Sequence, residues 1–270
     1  EYNTEYAPET PLKVWGGQHR ISAIKKAGVK HNRHHGFRVY FTLSKEQRTE
    51  VALISNTNIS VSNDTFDRMI EETIFGDRLR QWCWEVGLLD EDENFPDSSR
   101  SERITVKLAR SFVVNFCLGK EKGQDLSQGE LDHNVYEPQL AETGVTIDPR
   151  YRAITEEHDI LTDQALIKAG MRFAALHRVQ HKAVTSEGAK VRNFKSYRNK
   201  ALVISVLCGW SYVAGLLQSH PERLENHYRI PRITSSVPDP LNAEQMSKFK
   251  HTSDAPTYRG LGTRSSPKDR

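Results

Sequence analysis

Cysteine is scarce in this chain: Cys83, Cys117 and Cys208 are the only three in 270 residues. They lie far apart and form no CxxC pair, which excludes a zinc ribbon, a dithiol redox motif and a disulfide-stapled scaffold. A reduced, cytoplasmic protein is the expectation. Long apolar runs are missing as well. The most apolar stretch, Ala201 to Leu217, carries two serines and two glycines and is shorter than the about 20 residues a membrane helix needs. No membrane partner is therefore expected, and no secretory signal pattern is visible. Charge of one sign is absent too: 38 basic against 35 acidic residues leave a net charge of +3. Any affinity for nucleic acid must then come from local patches and not from a global field. No internal repeat is present. A mean hydropathy of −0.64 with 37% hydrophobic residues suits a globular chain, long enough for one large domain or two ordinary ones.

What is there begins near the N-terminus, with Val14-Trp15-Gly16-Gly17-Gln18-His19-Arg20-Ile21-Ser22-Ala23-Ile24. Leu12 to Trp15 reads as a short strand. Gly16 and Gly17 permit a sharp turn and close approach of the backbone to a ligand. From Gln18 the spacing becomes helical, with Ile21, Ile24 and Ala27 predicted on one buried face. A helix N-terminus directs free N–H groups and positive dipole at one spot, and His19 and Arg20 in its first turn suit a phosphate. An ordinary tight turn with a solvated arginine is the alternative.

This turn resembles the phosphate-binding turn of the ParB/sulfiredoxin superfamily. Sulfiredoxins carry Gly-Gly-Cys-His-Arg there, ParB proteins a Gly-Glu-Arg-Arg box, and other relatives Asp-Gly-Gln-His-Arg. The resemblance covers about the first third and implies an incomplete ParB/sulfiredoxin-like nucleotide-binding α/β domain over residues 1–89. Helical periodicity beyond it predicts a helical domain over 101–230 and its loss an irregular tail over 231–270, an α+β fold overall. The resemblance implies a nucleoside triphosphate, ATP or CTP, held by Gly16, Gly17, Gln18, His19, Arg20 and Ser22. It implies Mg2+ on the nucleotide phosphates, with Asn56 matching the metal-holding asparagine of a Glu-Asn-x-x-Arg motif. Ser55 and Ile59 replace that motif's acid and arginine, and Gly16 stands where some relatives have an acid. Gln18 replaces the reactive cysteine of sulfiredoxin, which excludes sulfinic-acid repair. Relatives have strands before this turn and the chain begins without Met, so part of the fold is expected to precede it.

Further along, Phe37 to Leu43 alternates as a strand, and Ser44 with Gln47 forms a capping-box pattern opening a helix through Val51, Leu53 and Ile54. Asn63-Asp64 opens one long predicted helix reaching Val86, with Trp82 on its apolar face and Trp84 off it. Asp90 to Arg100 reads as an acidic boundary loop. A helix from Ser101 buries Ile104, Leu108, Phe112, Val113 and Phe116, and Gly119 to Arg150 reads as a long loop. Thr155 starts a further helix, its buried face running from Ile160 to Val179 and its C-terminal half basic. His177 and His181, four apart, fit a charged surface better than a metal site, and so do His31, His34 and His35 in a basic loop.

Lys190, Arg192, Lys195, Arg198 and Lys200 surround Phe194 and Tyr197. Basic residues interleaved with aromatics suit a nucleic-acid backbone and its bases, with a solvated loop as the alternative. Arg192, Lys195, Tyr197, Arg198 and Lys200 are the expected DNA contacts. Thr257 to Arg264 is an arginine- and glycine-rich tail. Together with the resemblance, these residues predict a nucleotide-binding, NTP-hydrolysing protein that acts on or regulates DNA, in modification, defence or partition. A ParB-like phosphotransferase acting on a small molecule and a non-catalytic DNA-binding regulator are the alternatives. A homo-oligomer is compatible with either.

Overall fold

A computed structural model describes residues 18–27, 39–40, 42–44, 47, 51, 62–73, 75–96, 103–125, 139–141, 148–157, 159–182, 199–231 and 239–243. The chain divides into two units, Glu1–Val61 and Ser62–Arg270.

In the first unit, helix α1 spans Gln18–Ala27 and starts directly after the glycine pair, as the spacing predicts. Its apolar stripe is less covered than expected: Ile21 is half-buried, but Ile24 is 36% exposed and Ala27 is exposed. The capping box forms in both directions. The Ser44 N–H donates to Gln47 Oε1 at 3.0 Å, and the Gln47 N–H donates to Ser44 Oγ at 3.3 Å. Val39 and Tyr40 are exposed and in no strand, and Thr42 takes a φ of 52°. A left-handed residue interrupts the extended geometry that the alternation of Phe37 to Leu43 predicts. No strand occurs among the described residues, which are rich in helix. Leu12 to Trp15, the histidine loop and Leu53 with Ile54 lie outside them.

The second unit holds α2 (Asn63–Thr73), α3 (Arg78–Val86), α4 (Val106–Asp125), α5 (Pro149–Glu157), α6 (Gln164–Lys182), α7 (Ile204–Leu216) and α8 (Pro221–Tyr228). Short 3-10 turns lie at Ile160–Thr162, Lys200–Leu202 and Leu217–Ser219. The single helix expected from Asn63 to Val86 is two. Gly76 and Asp77 take φ values of 64° and 63°, and two successive left-handed residues cannot continue a right-handed helix. Ser62 caps α2, its Oγ accepting the Thr65 N–H at 3.2 Å. Gly87 ends α3 with a φ of 76°, its N–H and those of Leu88 and Leu89 returning to the carbonyls of Trp84 and Cys83.

The expected boundary near residue 89 moves to 61/62, because α2 and α3 pack on α4 and α6. Phe66, Ile70, Leu79 and Trp82 supply that contact, all nearly solvent-free. The acidic stretch after Asp90 is no linker: Phe95 is buried, and Trp84 Nε1–H donates to the Glu93 carbonyl at 2.7 Å. Thr155 to Asp159 does not start a helix either. Asp148 caps α5 by accepting the N–H groups of Arg150 and Tyr151, so Thr155 lies in the last turn. Asp163 performs the same service for α6, accepting the Ala165 N–H at 2.7 Å.

Gly119 and Gly123 open no loop but lie inside α4, against α7. A Cβ at Gly119 would meet the Tyr212 carbonyl oxygen at 2.1 Å, and one at Gly123 the Leu216 carbonyl oxygen at 2.4 Å. Gly215 on α7 returns the relation, with the Phe116 carbonyl oxygen 2.0 Å from its would-be Cβ. The two backbones therefore touch, and this is the most extensive helix contact described. Part of the expected loop also docks on α4. Asn115 donates to the Gln139 carbonyl at 2.7 Å and accepts the Gln139 N–H at 2.9 Å, while Ser111 accepts the Ala141 N–H at 3.0 Å. Trp82, Phe112, Phe173 and Trp210 then form a continuous row of rings at centroid spacings of 5.7, 5.3 and 5.1 Å. That row is the spine of the core, and it runs out to α8.

Candidate functional site

The glycine turn is placed only in part. Gln18, His19 and Arg20 are the first three residues of α1, and their side chains lie outside what is described. Ser22 is exposed in the following turn. No acid sits in the first turn, while Lys25 and Lys26 occupy the last. A helix start with free N–H groups, no carboxylate and two adjoining basic residues favours an anion. Gly16, Gly17 and Asn56 lie outside the described residues, as do Arg192, Lys195, Tyr197 and Arg198. Lys200 is described and is 8% exposed, with burial lowering its pKa. A buried ammonium is poorly presented to a phosphate backbone, so Lys200 does not fit the expected DNA contact.

The second unit holds two polar constellations that the sequence pattern did not reveal. One is sealed in the core. Arg110 Nε donates to Glu71 Oε1 at 2.7 Å and Nη1 lies 3.4 Å from Asp67 Oδ1, with all three residues at most 1% exposed. The guanidinium also lies over the rings of Tyr151 and Phe75, at 5.3 and 5.8 Å. Two carboxylates share one cation here. Burial raises the Glu71 pKa against the pull of Arg110, and burial likewise drives up the Tyr151 hydroxyl and the Cys83 thiol. Without solvent access this cluster joins α2, α4 and α5 and has no route to a substrate.

The other constellation opens to solvent. A cleft of about 290 Å3 lies between α6, α7 and α8, walled by Arg172, Trp210, Asn226, His227, Tyr228 and Arg229 among others. The aromatic row ends there, with His227 at 4.6 Å from Trp210 and Tyr228 stacked on it at 5.7 Å. His227 Nε2–H donates to the Trp210 carbonyl at 3.0 Å. Burial lowers the His227 pKa, outweighing that hydrogen bond. Arg172 and Lys168 lie over the Tyr228 ring at 5.9 and 5.6 Å, and Glu225 pairs with both cations. Sequence reading passed over Asn226-His227-Tyr228-Arg229, although an aromatic and basic run just after Pro221 is a visible signal.

His177 and His181 do face each other, at 5.9 Å between ring centres. Burial, with His181 and Arg178 adding to it, lowers His177 to about 4. No group of three or more His, Cys, Asp or Glu side chains fit to hold a metal ion occurs among the described residues. No helix among them is long and apolar enough to cross a membrane. No family model, curated protein or solved structure matches this chain.

Proposed function

We propose that the chain binds a nucleoside triphosphate through the turn from Gly16 to Arg20 and acts on or regulates DNA. The observation that supports this reading is the start of α1 at Gln18, hard against two glycines, with no carboxylate in its first turn. In this reading the backbone N–H groups of the turn and the His19 and Arg20 side chains hold the phosphates. Asn56 supplies an amide oxygen to Mg2+, which as a hard cation takes oxygen ligands and bridges phosphates. The α+β ParB/sulfiredoxin-like domain belongs to the same proposal. Hydrolysis is the proposed reaction, with ATP or CTP as substrate, and DNA is met through Arg192, Lys195, Tyr197 and Arg198.

Calorimetric titration with ATP and CTP, with and without magnesium, tests it. Arg20→Ala should weaken binding by about 1.5–3 kcal/mol, the scale of a hydrogen bond to a charged group. Equal affinity of the variant and the parent protein would show that the turn is merely structural.

A further inference from the structure

We infer that the cleft between α6, α7 and α8 seats one unpaired nucleobase of single-stranded DNA, with its neighbouring phosphates on Arg172 and Arg229. The site is distinct from the glycine turn and does not depend on a nucleotide being bound there.

Four features carry the inference. The first is charge: among the described residues, Arg172 and Arg229 line the cleft and no Asp or Glu does. Glu225 lies just outside and meets Arg172 at 3.6 Å, with both side chains about half exposed. An ion pair of that kind is weak, so a phosphate can displace it. The second is the ring system: Trp210 and His227, both partly exposed, bring the aromatic spine of the core to this surface, with the buried Tyr228 ring stacked behind Trp210. Bases pack on such rings irrespective of sequence.

The third is hydrogen-bonding capacity. A carbonyl can only accept, so the contact with Trp210 fixes the proton of His227 on Nε2 and leaves Nδ1 as an acceptor. Asn226, exposed and also lining the cleft, adds an amide with one donor and one acceptor group. An imidazole acceptor and an amide in the cleft lining supply the kinds of group that meet a base, whose exocyclic amine donates and whose ring nitrogens accept. An acidic peptide with an apolar anchor would satisfy the arginines and leave this pair unused. The fourth is size. About 290 Å3 is at the low edge of small-ligand sites, a scale that suits a single base.

The test is fluorescence anisotropy of a short labelled oligodeoxynucleotide over a salt series, with the full chain. Arg172, Asn226 and Arg229 are all exposed, so their variants keep the fold, as circular dichroism would verify. Arg172→Glu with Arg229→Glu should weaken binding about tenfold or more. It should also flatten the slope of log affinity against log salt by about 1.4, at 0.7 per single-strand phosphate lost. Asn226→Ala should alter the preference among bases and leave the salt slope alone. An abasic oligomer should bind several-fold more weakly than its parent.

Equal binding of the abasic and normal strands would overturn the base assignment, and an unchanged slope in the double variant would overturn the phosphate assignment. Displacement of the strand by dAMP at comparable concentration would make this a mononucleotide site and overturn the strand assignment. Arg20→Ala should leave strand binding intact, so failure at the glycine turn and failure here are read separately.

Discussion

Replacing Gly215 by Ala should unfold the second unit more easily, although alanine is the better helix former. The substitution removes backbone freedom from the unfolded chain and improves helix propensity by about 1 kcal/mol. Against this stands the crossing of α4 and α7. The new Cβ would lie 2.0 Å from the Phe116 carbonyl oxygen and 2.8 Å from the Lys120 nitrogen, both backbone atoms that no rotamer change can move. A carbon–oxygen contact needs about 3.3 Å, so the helices must part by about 1 Å. A gap of that size forfeits a quarter to a half of the dispersion attraction along the contact, on top of the about 1–3 kcal/mol typical of overpacking. The steric loss wins, and net destabilisation should be about 2 kcal/mol or more, or roughly 4–8 °C in Tm for a unit of this size.

Gly209 provides the internal control. It lies in the same helix, α7, with nothing within 4 Å of its would-be Cβ. Gly209→Ala should therefore stabilise, by up to about 1 kcal/mol. Urea unfolding followed by far-ultraviolet circular dichroism gives both values. Opposite signs are required. If Gly215→Ala matched the parent protein, or if both variants lost stability alike, the close backbone crossing would be refuted.

Two further predictions concern protons and buried charge. Glu71→Ala should cost about 3–5 kcal/mol by leaving Arg110 with a broken buried pair. Because burial raises the folded pKa of Glu71, its contribution is full below 4.5 and is lost as pH rises through the folded value. Glu71→Gln should consequently flatten the decline in urea midpoint above pH 4.5. His177 behaves in the opposite sense. Its folded pKa is lowered from 6.5 to about 4, so the stability it lends is full above 6.5 and drains away as pH falls to 4, by about 3 kcal/mol. His177→Leu should remove that part of the acid slope, read as the difference between the two proteins' unfolding curves, and an identical slope would contradict the burial of the ring.

Local signals were legible where short-range chemistry decides the backbone. The Ser44/Gln47 capping box closes as its spacing predicts, and α7 falls within the apolar run from Ala201 to Leu217. The buried face of α4 shows Phe112, Val113 and Phe116 fully enclosed and Leu108 half-buried, with Ile104 enclosed just before a helix that starts at Val106 and not at Ser101. Tertiary context decided the rest. Apolar spacing carries on across Gly76 and Asp77, so periodicity alone merges α2 with α3, and only the left-handed pair separates them. Gly119 and Gly123 read as loop residues because glycine usually breaks helices. Here they are needed inside one, since the partner that requires them, α7, lies some ninety residues away in the sequence. The cleft escaped the reading for a similar reason: Arg172 and His227 come together only after α6 and α8 pack.

Charge shows most plainly why a linear reading falls short. The segment from Arg172 to Lys200 carries eight basic residues against Glu187 alone, which in sequence looks like self-repulsion awaiting a polyanion. In the fold, two of its members already have other surroundings. Arg172 has Glu225, supplied by α8, and the Tyr228 ring beneath it. Lys200 is buried, and burial lowers its pKa. Arg172 and Lys200 therefore count for less toward a phosphate than the sequence alone suggests. Arg229, which sequence reading assigned to no site, lines the cleft next to the aromatic rings. A basic patch is defined by what the opposing helices leave unneutralised, and among the described residues Arg172 and Arg229 lie together at the cleft where the aromatic spine ends.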